Sequence, residues 1–146
     1  MRLDFLAKLA RPARDRSDIP SAGASQHLKD SFVSRDRLLL LQPGFQDPKY
    51  PGETFVCPHC LAVEGLLGAA PELTSRLYIE RLAFARPRPV VIAALDEAHQ
   101  SLPVLILGDE HPLPEDAKSL GERRFVTDPQ RILALLHERH GFPRVH

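Results

Sequence analysis

The stretch Arg37–Ala69, RLLLLQPGFQDPKYPGETFVCPHCLAVEGLLGA, decides how the chain is read. Leu38-Leu39-Leu40-Leu41 is a short, unbroken apolar run closed by Pro43-Gly44, the pattern of a strand buried on both faces. Cys57 to Ala69 follows after a long loop, Gln42 to Val56, with apolar positions at Leu61, Ala62, Val63, Leu66 and Leu67 and Pro71 to stop it. That spacing predicts a helix with a wide apolar face packed on the sheet. Strand, loop and helix together predict the first crossover of an α/β domain.

Working outward, the alternation continues. Leu77 to Phe84 predicts a second strand, Pro89 to Ala98 a second helix, and Val104 to Leu107 a third buried strand. Glu110 to Gly121 is rich in proline and glycine and predicts a connection; Arg123 to Val126 predicts a short strand near an edge. Asp128 then caps a helix opened by Pro129 and carried by Ile132, Leu133, Leu135 and Leu136, with Gly141 and Pro143 to end it. The order is β-α-β-α-β-β-α, with crossovers that favour parallel neighbours and a sheet covered by helices.

Composition narrows the classes. The chain has 146 residues, a one-domain length, and its 19 basic residues balance 19 acidic ones, so no charge excess drives binding to nucleic acid. No apolar run approaches the ~18 residues of a membrane span. Residues 1–34 read as a disordered N-terminal extension with a linker composition at Pro20–Ser25, and residues 35–146 as the domain. Leu3, Leu6, Ala10 and Ala13 also have the spacing of a weak amphipathic helix. Asp4 and Lys8 interrupt every candidate signal core, which points to a cytoplasmic protein. Met1 is the only methionine, and a start at Val33 is a further reading of this end, testable by N-terminal sequencing.

Cys57-Pro58-His59-Cys60 carries the chemistry. Pro58 at the first helical position places Cys57 at the cap, where unsatisfied N–H groups and the positive end of the helix dipole favour a thiolate. Such settings lower a cysteine from about 8.5 to as little as ~3.5–7.5. His59 adds a stabiliser when protonated, and Cys60, one turn on, suits the resolving role. A zinc site completed by His99, His111, His137 or His140, a structural disulfide, and two inert buried thiols are the other readings. No second C-x2-C pair supports zinc, and His137 and His140 are only three apart on the last helix.

Cys57-Pro58-His59-Cys60 after a strand resembles the active site of the thioredoxin-like superfamily; it matches the tetrapeptide of DsbA-type disulfide oxidases and is similar to the glutaredoxin Cys-Pro-Tyr-Cys. The chain also resembles an uncharacterised bacterial thioredoxin-like family known as a domain of unknown function. The resemblance runs from about Arg37 to Phe142. It implies a thioredoxin-like fold with a central mixed sheet of about four strands flanked by helices. It implies a cis bond at Leu102-Pro103, with Leu102 and Pro103 facing substrate. Three departures stand beside it. Only 42 residues separate Cys60 from Pro103, which leaves no room for the DsbA helical insert. Val56 stands where thioredoxin has an aromatic residue, and Leu38–Leu41 holds no carboxylate.

The expected activity is thiol–disulfide exchange through Cys57, Cys60 and His59, on a protein or small-molecule disulfide or thiol, with a recycling reductant or oxidant and no resident cofactor. Pro-His points toward the oxidising end of the superfamily, the absent signal toward the reducing cytosol. Phe45, Tyr50 and Phe55 offer apolar surface for one wall of a substrate groove. Arg86 and Arg88 either meet an anion such as glutathione as co-substrate or are solvated. Thr127 and Asp128 resemble the γ-glutamyl site of glutathione binders, and Glu64 is the carboxylate nearest the motif in sequence. The alternative is a non-catalytic thioredoxin-fold module that binds a peptide or protein.

Overall fold

The structure is a computed structural model describing residues 35–146; the expected extension over residues 1–34 lies outside them. Five strands form one mixed sheet: β1 (Arg37–Leu41), β2 (Tyr78–Leu82), β3 (Val104–Leu107), β4 (Lys118–Leu120) and β5 (Arg123–Val126). Three helices flank it, α1 (Pro58–Ala69), α2 (Pro89–Ala94) and α3 (Pro129–His140), and a 3-10 turn, Pro71–Arg76, follows α1. The sheet order is β2-β1-β3-β5-β4. β1 and β2 run parallel, with Leu38 opposite Ile79 and Leu41 opposite Leu82, and every other neighbouring pair is antiparallel.

β1 is buried on both faces, as its run of leucines predicts. Leu38 and Leu40 join the larger core, which Val63, Leu66 and Leu67 of α1 and Ile132, Leu133, Leu135 and Leu136 of α3 complete. Leu39 points the other way, into a smaller core with Val91 and Ala94 of α2, Val104, Ile106 and Phe125. The alternation is the period-two geometry of a strand. Fully burying a leucine is worth about 1.5–3 kcal/mol, so this short strand anchors both layers. α1 and α3 therefore cover one face and α2 the other.

Among the described residues all three α-helices, and the 3-10 turn, begin with proline. The missing N–H costs nothing at the first helical position, so four of the fourteen prolines are helix starts rather than breaks in the fold. At the far end of α3, Gly141 sits at φ 83°, where its N–H meets the His137 carbonyl and the Phe142 N–H meets that of Leu136. The first of these bonds is the left-handed ending expected of glycine at this position.

The structure corrects several expectations. The sheet has five strands rather than about four, because Lys118–Leu120, inside the predicted connection, pairs with β5 across the two-residue turn Gly121-Glu122. Gly121 at φ 61° makes that turn. β5 consequently lies between β3 and the edge strand β4, near the edge as its sequence predicts. β3 runs antiparallel to β1, although a helical crossover precedes it. α2 stops at Ala94 instead of Ala98, because Leu95 leaves helical geometry and a turn forms in which the His99 N–H donates to the Asp96 carbonyl. Leu61 and Ala62 are exposed; the buried stripe of α1 is Cys60, Val63, Leu66 and Leu67. Asp128 occupies the α3 cap, but only its carbonyl bonds the helix, to the Ile132 N–H, and its carboxylate makes no cap bond. Among the described residues no helix is long and apolar enough to cross a membrane.

Candidate functional site: a dithiol at the start of α1

Cys57 is the N-cap of α1. Its backbone is extended, its carbonyl accepts the Leu61 N–H, and its sulfur accepts the Cys60 N–H at 3.3 Å. A thiol sulfur thus takes the place of the usual cap oxygen, meeting one of the four N–H groups that a helix start leaves without an intrahelical partner. Cys57 is partly exposed and Cys60 is buried, and both are free thiols.

Cys60 is held differently. The Leu41 N–H at the end of β1 donates to its sulfur at 3.4 Å. Burial, above all, pushes the Cys60 thiol up to about 12; the Leu41 N–H works against this, while the Cys57 sulfur and the Glu64 carboxylate add to it. Cys60 therefore keeps its proton at neutral pH, and the two sulfurs of one motif sit in unlike environments. The cause is the turn geometry of α1, which puts position 60 on the buried stripe and leaves the cap at the rim.

Around the cap lies apolar surface. Phe45 and Phe55 form an isolated bridge that closes the long Gln42–Val56 loop, with both N–H groups donating to the opposite carbonyls. Phe45 stacks on Phe84 with centroids 4.5 Å apart, and Tyr50 meets Phe55 edge-on at 5.7 Å. Phe45, Phe84, Cys57 and Leu102 all pack on the larger core. Val56, Leu61 and Tyr50 are large apolar side chains left about half exposed. The Leu102–Pro103 bond is cis, as is Arg86–Pro87, and Pro103 is buried. His59 is exposed and makes no hydrogen bond to another described residue.

The charged candidates divide. Glu64 is bonded two-pronged to Arg81 of β2, at 2.7 and 2.8 Å. Arg88 is neither solvated nor open to an anion: it is buried and donates to the carbonyls of Ala83, Phe84 and Gln100. Arg86 is exposed. Thr127 accepts from Lys118, far along the sheet at β4 and β5. The histidines of the zinc alternative lie apart: His99 on Asp96, His137 on the Phe142 carbonyl, His140 on Asp36, and His111 against the His140 ring. Among the described residues no three His, Cys, Asp or Glu side chains gather as metal ligands. Two open clefts of about 570 and 600 Å³ flank α3, both lined by His111 and neither by a cysteine.

One group escaped the reading of the sequence. Asp36, just before β1, is buried with Arg139 and His140 at the end of α3. A signal for it existed: residues 139 and 140 continue the spacing of Ile132, Leu135 and Leu136, so a cation had to enter the core and find a counter-ion there.

Fold and site together define a mixed α/β domain with a dithiol at a helix start, its inner sulfur tied to the central strand. The chain belongs to the family described as "Protein of unknown function (DUF3088)", whose family model matches residues 35–144. No curated protein and no solved structure matches the chain.

Proposed function

We propose that the protein is a thiol–disulfide oxidoreductase of thioredoxin-like architecture. The observation that carries this is the unlike setting of the two sulfurs: Cys57 at the helix cap accepting a backbone N–H, and Cys60 buried, protonated and accepting the Leu41 N–H. A rim sulfur that attacks and an inner sulfur that resolves is the division of labour such exchange needs. The sheet order β2-β1-β3-β5-β4, with α1 and α3 on one face and α2 on the other, and the place of Leu102-Pro103 at the start of β3, support the thioredoxin-like reading.

In the reducing direction the Cys57 thiolate attacks one sulfur of a substrate disulfide. The substrate S–S bond breaks, and its other sulfur leaves as a thiolate. Cys60 then loses its proton and attacks the Cys57–substrate bond; the second substrate thiolate departs and a Cys57–Cys60 disulfide remains. Two electrons pass from the protein to the substrate, and an external dithiol restores the pair. The oxidising direction is the reverse. Tyr50, Phe55, Val56 and Leu61 supply apolar surface beside Cys57, which favours a protein or peptide disulfide as the substrate.

Trapping tests the reading. Cys60→Ser incubated with a peptide disulfide should accumulate a mixed disulfide at Cys57, seen by intact mass, and Cys57→Ser should form none. Wild type with dithiothreitol should turn the peptide over. A Cys60→Ser protein that forms no adduct, while wild type still binds the peptide, would favour the non-catalytic binding module.

A further inference from the structure

α2 is six residues long, about 9 Å at ~1.5 Å per residue, on strands of roughly 13–17 Å. It packs Val91 and Ala94 against Leu39, Val104, Ile106 and Phe125, and its last carbonyl, that of Ala94, accepts an N–H of Arg123. The helix is too short to cover its whole face of the sheet. A cleft of about 570 Å³ lies where β1 begins, β3 ends and β4 turns into β5. Strand register says what lines it. Arg37 of β1 stands opposite Ile106 of β3, and Leu120 of β4 opposite Arg123 of β5. Paired residues share a face, and the period-two alternation puts Arg37 with Leu39 and Arg123 with Phe125, on the α2 side. Arg35 and Glu122 also line the cleft.

Three guanidiniums thus share the cleft with one carboxylate. Arg35 and Arg123 are exposed, and Arg37 is partly buried. Arg37 lies over the Tyr78 ring, 5.5 Å from its centroid, and its Nη2 is 3.7 Å from Glu80 of β2, a weak contact for a partly exposed pair. Its Nε is buried and has no hydrogen-bond partner among the described residues. A guanidinium keeps its charge, and a buried donor without an acceptor is costly. Between the cations the surface is apolar: Ile106 is 7% exposed and Leu120 packs on the smaller core. Arg37 opens β1, and Leu41, whose N–H meets the Cys60 sulfur, closes it, so cleft and dithiol lie at opposite ends of that strand.

We propose that this cleft binds a small amphiphilic anion: a carboxylate or phosphate head held by Arg37, Arg35 and Arg123, with an apolar body laid on Ile106 and Leu120. Either oxyanion matches the planar fork of a guanidinium, and it supplies the acceptor and the counter-charge that Arg37 lacks. The volume is that of a small-molecule site, for which ~300–1,000 Å³ is usual. The site is separate from the dithiol and stands whether or not the protein exchanges disulfides.

The test is titration calorimetry of the full chain at neutral pH and low salt with decanoate, decyl phosphate, decanol and inorganic phosphate. At least one of the two amphiphilic anions should bind once per chain, and the tighter of them identifies the head group. Decanol, which lacks the charge, and inorganic phosphate, which lacks the apolar body, should each bind roughly tenfold more weakly or worse. Arg37→Gln should also lose roughly tenfold in affinity. Arg124→Gln, which removes the same charge from the other face of β5, should stay within about twofold of wild type. Amide shifts on binding should centre on Ile106, Leu120 and Arg123. Where Arg37→Gln does not fold, Arg35→Gln, at an exposed position, takes the same measurement. The proposal is overturned by the absence of saturable binding of either anion, by decanol binding as tightly, or by an Arg37→Gln affinity equal to wild type. A chain that instead dimerises through this face, with Arg37→Gln dissolving the dimer and no anion bound, overturns it in favour of a second copy.

Discussion

Asp36 and Arg139, 103 positions apart in the chain, form a two-pronged buried ion pair, Nε to Oδ2 at 2.7 Å and Nη2 to Oδ1 at 2.8 Å. The Gly108 N–H and His140 Nε2 bond the same carboxylate at 2.8 and 2.7 Å, and Arg139 also reaches the Pro112 carbonyl. Three separate parts of the chain, the lead into β1, the residue that follows β3 and the last turn of α3, meet at one carboxylate, and the loop after β3 joins them through Arg139.

Removing one partner leaves the other charge buried. Asp36→Ala should cost about 3–5 kcal/mol in chemical denaturation, against which Asp36→Leu combined with Arg139→Met should recover much of the loss. A single-variant loss below about 1 kcal/mol would mean that the pair does not clamp α3 to β1.

Acid should expose the same cluster. Burial alone would raise Asp36, but His140, Arg139 and the Gly108 N–H outweigh it and hold the carboxyl down at about 2, against an ordinary 3.8. A depressed carboxylate contributes stability that is complete above its unfolded value and is lost as pH falls. The window therefore runs from about pH 4 down to about 2, and the contribution is about 2 kcal/mol. Urea midpoints between pH 5 and pH 2.5 should fall more steeply for wild type than for Asp36→Asn; equal slopes would refute this.

The two thiols should label unequally. With Cys60 buried and pushed up to about 12, a brief alkylation of the folded protein near pH 7.5 should add one group, at Cys57, and the same treatment in denaturant should add two. Peptide mapping locates the adduct. Equal labelling of Cys60 in the folded state would contradict the buried setting and remove the basis for distinct roles.

Apolar surface beside the cap should matter for large substrates and hardly for stability. Leu61 and Val56 are 56% and 48% exposed, so Leu61→Ser and Val56→Ser should change stability by no more than about 0.5 kcal/mol. On the oxidoreductase reading, kcat/KM for a protein disulfide should drop several-fold while a small disulfide is unaffected. A drop for both substrates would place these residues in the chemistry instead of in docking.

Some of this was legible in the linear chain because its causes are local. The four leucines of β1 declare a strand covered on both sides; proline at 58 and 129 and glycine at 141 declare helix ends, since backbone geometry at those positions depends on the residue itself. The cap position of Cys57 follows from Pro58 alone. The wide apolar face assigned to α1 did not hold at Leu61 and Ala62, because hydrophobicity does not say which part of a stripe the neighbouring elements reach.

Other features depend on partners distant in sequence. β4 has one half-buried leucine in three residues, so no periodicity marks it; its existence comes from pairing with β5. The antiparallel course of β3 beside β1 is likewise a property of the assembled sheet. Asp36 looks like any acidic residue until α3 brings Arg139 and His140 onto it, and Arg88 looks like a solvated arginine between prolines until three carbonyls close around it. Strand, capped helices and dithiol were written in the order of the residues, because propensity and capping act over a few residues. The buried charges and their counter-charges were decided by folding, because electrostatic pairing depends on distance in space, which the order of residues along the chain does not encode.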